Sequence, residues 1–174
     1  IEGRGLDGPV QFLDGGAKNS SRLSKSSLHS EALAKAGGIE KAEKVAGVLE
    51  EFYVSPPDTR ELLEKSESGK LGTPIDACTD AKSLYDLLTG VGEPNPTDPG
   101  ALLWLLWTRE WRQAGAIRRF IWVTTYDQLA SPLTKSNADV MQIQKAMMTG
   151  WLELQYSALS EGVLLHREKG LPPP

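Results

Sequence analysis

A layered α/β domain is what this sequence predicts, and three observations carry the prediction. Apolar residues recur at three- and four-residue steps through several long segments, the period of helices with one buried face. Between them lie short apolar runs, Ile75–Thr79 and Ile117–Val123 above all, of strand rather than helix length. Helices interleaved with a few strands around one core make a layered α/β arrangement, and 174 residues suffice for one such domain but not for two well-packed ones.

Residues 1 to 25 are rich in glycine, serine and lysine, and their one apolar piece, Val10-Gln11-Phe12-Leu13, reads as a strand closed by the turn Asp14-Gly15-Gly16. Ser26 and Ser27 offer N-caps to a helix reaching about Tyr53, with Leu28, Ala32, Ala36, Ile39, Ala42, Val45, Leu49 and Phe52 on one stripe. Gly37-Gly38 weakens it by roughly 1 kcal/mol per glycine, and Pro56-Pro57 stops it. A short amphipathic helix follows over Thr59–Ser66, then a polar connection, the strand Ile75–Thr79 and a helix over Ala81–Leu88.

The proline-rich loop Gly90–Pro99 leads to a helix capped by Asp98, with Pro99 in its first turn and Gly115 beyond its end. Leucines and tryptophans wrap most of that helix, so it should be central or covered. Ile117–Val123 is a strand occupied on both faces. A short helical turn over Tyr126–Leu133, an amphipathic helix over Asn137–Met148 and a frayed tail from Gly170 complete the chain. The expected organisation is a partial strand region over 1–25, a core over 26–135, and a helical extension with a disordered proline tail over 136–174.

Composition narrows the function classes. A net charge of −4 gives no general attraction to nucleic acid or anionic membrane, so gripping a polyanion would need a local basic patch or a bound metal. The lone Cys78 excludes an intrachain disulfide and fits a reducing compartment; in an apolar strand it reads as a buried, inert thiol. His29 and His166 are far apart with no cysteine partners, which argues against zinc. The longest apolar run, Ala101–Trp107, is too short to span a bilayer, and no secretory signal is seen, so an intracellular, non-secreted protein is expected. The start at Ile1 suggests a fragment, a processed product or an expression tag, Ile1-Glu2-Gly3-Arg4 being similar to a protease-recognition sequence.

The motifs that bear on chemistry lie at helix starts and strand ends. Ser26-Ser27-Leu28-His29-Ser30-Glu31 opens the first long helix with a glutamate five residues in. Thr79-Asp80-Ala81-Lys82-Ser83 takes a strand into a helix through an aspartate. Trp122-Val123 and Gln128-Leu129-Ala130-Ser131-Pro132-Leu133-Thr134-Lys135 do the same for the second strand, with Ser131 at the helix start. In that order, the three resemble the "S-S-x-x-x-E", "D-x-x-S" and "V-P-x-x-x-Q-L-A-D-x-L-T-K" motifs of the ribonuclease H domain that ends copia-type retrotransposon polyproteins, over about residues 10 to 135.

The resemblance implies a ribonuclease H-like fold, incomplete at its first strand and followed by a helical extension, whose reaction is cleavage of the RNA strand of an RNA–DNA hybrid. In that family four carboxylates hold two magnesium ions that activate the attacking water and stabilise the leaving oxygen; magnesium, a hard ion, takes oxygen ligands. Carried over, Glu31 and Asp80 match two of those carboxylates as catalytic metal ligands. Ser131 replaces the fourth, and the strand bearing the first lies further upstream than the thirty residues before Glu31. An inactive or weakly active chain is the expectation, the alternative being a non-catalytic module that binds protein or nucleic acid.

Each residue also has a structural reading. Asp80 can serve as an N-cap, and Glu31 can simply favour its helix dipole. Asp76 points to the same strand face as Asp80 but about 13 Å away, so it reads as solvated. Arg109, Arg112, Arg118, Arg119 and Lys135 form a loosely basic segment that could contact phosphates or be a solvated face. Trp104, Trp107, Trp111 and Trp122 read as core rather than base-stacking residues. Asp127 could replace the carboxylate lost at Ser131 or cap a helix start.

Overall fold

The computed structural model describes residues 7–15, 26–53, 58–134, 140–154, 158–160 and 163–166. The chain divides into two compact units, each with strands and helices: 20–77 with 81–120, and 1–19 with 78–80 and 121–174.

The first of these units is built on the helix α1 (Ser27–Tyr53). Ala32, Ala36, Ile39 and Ala46 form its buried stripe at helical spacing. Small side chains there let neighbouring helices approach closely, and α1 packs against α2 (Thr59–Glu67), α3 (Lys82–Thr89) and α4 (Pro99–Gln113). Leu84, Tyr85 and Leu88 of α3, Ala101 and Leu105 of α4, and Ile75, Ala77, Ile117 and Phe120 of the strands complete the core. Helix α4 starts as expected: Asp98 caps it by accepting from Gly100 N at 2.9 Å, with Pro99 in the first turn. It is not covered all round, however, because Leu103 is 69% exposed and Leu106 is 38% exposed. Only its Ala101, Leu105 and Thr108 face is fully buried.

The other unit holds β1 (Gly8–Pro9), the ends of two longer strands, the short helices α5 (Ser131–Thr134) and α6 (Met141–Thr149), and β4 (Trp151–Leu152), β5 (Ala158–Ser160) and β6 (Val163–His166). The expected opening strand at Val10–Leu13 is displaced: pairing falls on Gly8 and Pro9, antiparallel to Leu152 and Trp151, and Val10 N adds a bond to Gly150 O at 2.8 Å. Gly150, left-handed at φ 66°, closes α6 and turns the chain into β4. The core cluster here is Ile121, Val123 and Leu154, with Cys78 packed against it.

The longer strands are β2 (Ile75–Thr79) and β3 (Ile117–Trp122), both within the ranges expected. Partner numbers rise together along them, Asp76 beside Arg118 and Arg119, then Thr79 O accepting from Val123 N at 2.9 Å, so they run parallel. The sheet order is β2-β3-β5-β6, with β3–β5 and β5–β6 antiparallel. The region after 136 is therefore not a purely helical extension, since among the described residues α6 is followed by three strands. The tail from Gly170 lies outside the described residues.

Candidate functional site

Asp80 closes β2. The strand alternates strictly, burying Ile75, Ala77 and Thr79 and leaving Asp76 and Cys78 partly accessible. Cys78 is therefore a thiol of intermediate exposure rather than a buried one. Asp80 follows at the strand's end, partly exposed and engaged. It is not the N-cap of α3: that position is Ala81, whose side chain makes no capping bond. Two bonds tie the ends of the parallel strands, Val123 N to Thr79 O at 2.9 Å and Trp122 Nε1 to Asp80 O at 3.1 Å. The backbone around Asp80 is thereby fixed from the neighbouring strand.

Beyond Val123 the chain turns through Thr124–Asp127, Asp127 N donating to Thr124 O at 3.0 Å. Asp127 neither begins a helix nor faces solvent. It is 3% exposed, accepts from Thr124 Oγ1 at 3.4 Å and from Gln142 Nε2 at 3.0 Å, and so pins α6 to the turn. Gln142 Nε2 also reaches Glu153 O at 3.3 Å. Ser131, at the start of α5, is 7% exposed, with its N–H on Gln128 O at 3.0 Å. Asp7 accepts from Leu154 N at 2.7 Å. These polar tethers hold the turn, α6 and the chain's early residues around one small core.

Glu31 belongs to the other unit, on the exposed side of α1 and engaged there. The basic residues expected to meet phosphates are tied into the fold of that unit. Arg109 donates to the carbonyls of Leu87 (3.1 and 2.5 Å), Gly90 (2.9 Å) and Gly92, clamping the loop after α3. Arg118 grips Asp76 through two parallel bonds of 2.8 and 2.5 Å, and Arg119 adds one of 3.0 Å. Asp76 is thus a buried-side ion-pair partner with an 18% exposed side chain, not a solvated acid. Burial pushes its carboxyl up, but the hydrogen bonds and charges of the two arginines outweigh that and hold it below the usual 3.8. Arg112 lies over the Phe120 ring at 5.7 Å, Trp107 and Trp111 pair at 4.4 Å, and Lys135 lies outside the described residues.

Two polar clusters escaped the sequence reading. Ser26 caps α1 through His29 N (3.1 Å), and its hydroxyl donates to Asp98 Oδ2 at 2.6 Å, joining the caps of α1 and α4. His29 Nδ1 lies 3.7 Å from the same oxygen, buried and without a hydrogen-bond partner. This is no hydrolytic triad, because the hydroxyl bonds the carboxylate directly and the His29 Nδ1 beside it makes no hydrogen bond to either. The second cluster is Glu50, 2% exposed, accepting from Lys65 Nζ at 3.2 Å and Gly72 N at 2.7 Å. Each cap was legible alone; which caps meet depends on how the helices pack.

Among the described residues no group of three or more histidine, cysteine, aspartate or glutamate side chains is placed to hold a metal ion. Among the described residues no helix is long and apolar enough to cross a membrane. Compared with known proteins, the chain matches no family model, no curated protein and no solved structure.

Proposed function

We propose that this chain is a ribonuclease H-type domain of retrotransposon origin that binds an RNA–DNA hybrid with little or no cleavage. The observation that supports it is the parallel β2–β3 pair, with Asp80 at the end of β2 and Ser131 opening a helix after β3. A carboxylate at one strand end and a serine after the other fit a hybrid-binding scaffold short of metal ligands. Asp80 is the candidate metal-facing acid of its unit and Glu31 that of the other, each considered by itself, with magnesium the candidate ion.

A second reading, a protein-binding module on the same scaffold, is favoured by the arginines. Arg109, Arg118 and Arg119 make intramolecular bonds, which leaves fewer guanidinium donors for phosphates. Fluorescence anisotropy with a labelled RNA–DNA hybrid, with and without magnesium and alongside a cleavage assay, tests both. Micromolar binding with a steep salt dependence and no product supports the first reading. Absence of binding at low salt removes it and leaves the protein-binding module.

A further inference from the structure

We propose that Ser66 is a phosphorylation site whose modification releases helix α2 from α1. The inference is independent of any nucleic-acid role. Helix α2 is nine residues long and polar, and among its described side chains none is buried; Leu63 is 58% exposed. A helix of this length has little stability of its own and needs tertiary contacts to persist. Here the hydrogen bonds to α1 end on two carboxylates. Ser66 Oγ donates to Glu43 Oε1, and Lys65 Nζ reaches Glu50 Oε1 at 3.2 Å. Just past the helix, Gly72 N donates to the other oxygen of Glu50 at 2.7 Å.

This latch is sensitive to charge at one atom. In the modification, the γ-phosphoryl group of ATP passes to Ser66 Oγ, the bond to the ADP oxygen breaks, and the hydroxyl proton leaves to the kinase's base. The neutral donor facing Glu43 becomes a group of charge about −2. It then lies against Glu43, one residue from the Lys65–Glu50 pair, and in the last turn of α2, where the helix dipole also disfavours an anion. All three effects oppose docking. Glu61, Glu64 and Glu67 surround the serine in sequence, a pattern suited to a kinase that selects acidic substrates. The weakly packed helix can open locally to present the serine. Gly69, at φ 64° against the Ala114–Ala116 turn, marks where the released segment would hinge.

The test is phosphorylation of the full chain by an acid-directed serine kinase with ATP, phosphosite mapping by mass spectrometry, and amide hydrogen exchange before and after. Phosphate on Ser66 with at least tenfold faster exchange across 62–67, and unchanged exchange in α4, is the expected result. No incorporation at Ser66, or incorporation with α2 protection unchanged, overturns the proposal. Glu43→Gln supplies the second arm. Removing its charge should reduce the exchange increase caused by phosphate at least threefold, and an undiminished increase also counts against the latch.

Discussion

The indole Nε1 of Trp122 donates to the main-chain carbonyl of Asp80 at 3.1 Å, linking the end of one parallel strand to the end of the next. An aromatic residue expected to be simple core material thus fixes the backbone that presents the candidate acid. Trp122→Phe keeps a six-membered aromatic ring and removes the donor together with the pyrrole part of the indole. It should cost about 1 kcal/mol, seen as a lower urea midpoint with an unchanged slope. A variant as stable as the parent would show that the bond does not restrain Asp80.

Asp76 should make stability depend on pH at the acid end. Its carboxyl titrates below its ordinary value of 3.8 in the folded chain because Arg118 and Arg119 together outweigh its burial. A depressed acid stabilises the fold above its unfolded pKa, and that contribution disappears as pH falls through the lower folded value. Asp76→Asn should therefore be less stable than the parent at pH 6, by about 1 kcal/mol because Arg118 is half exposed. The difference should shrink below pH 3. Thermal melts of both proteins across pH 2.5 to 7 measure it, and a constant gap would assign the loss to shape rather than charge.

Legibility followed the range of the forces involved. β2 was readable to the residue and β3 within one, because apolar alternation and length act within the strand itself. The start of α4 was equally clear, since Asp98-Pro99 states its cap locally. The strands after α6 were not, because Ala158–Ser160 and Val163–His166 are short and rely on pairing with β3 and each other. The same limit applied to the site. Asp80 could be placed at a strand end from sequence, while Asp127's tie to Gln142 and Asp76's to two arginines depend on side chains distant in the chain.

Gly69 is a position where backbone freedom is required. It has φ 64°, and a Cβ there would lie 2.6 Å from the Gly115 carbonyl carbon and closer still to Ala114 O and Ala116 N. Gly69→Ala should destabilise by about 1–3 kcal/mol, from the left-handed backbone and the contact together. Gly92, at φ 86° with open space around its missing Cβ, separates the two causes. Gly92→Ala should cost only the conformational part, about 1 kcal/mol. Equal losses in paired denaturation curves would mean that the approach of Gly69 to the Ala114–Ala116 turn carries no weight.

Ser131→Asp bears most directly on the proposed lineage. Ser131 is 7% exposed, so a carboxylate there is desolvated and, without a counter-charge, destabilises the fold by about 1–3 kcal/mol. Ser131→Asn has nearly the same size and no charge, and isolates that penalty. If the acids around Asp80 can complete a magnesium site, the ion must bind the folded aspartate variant more tightly than its unfolded chain. Saturating magnesium, at about 100 times its dissociation constant, would then return about 2.7 kcal/mol. The expected result is a magnesium-dependent rise in melting temperature for Ser131→Asp, absent in Ser131→Asn and in Ser131→Asp combined with Asp80→Asn. Equal magnesium responses in all three would show that Asp80 and position 131 share no ion, and the metal-binding ancestry of this site would have to be given up.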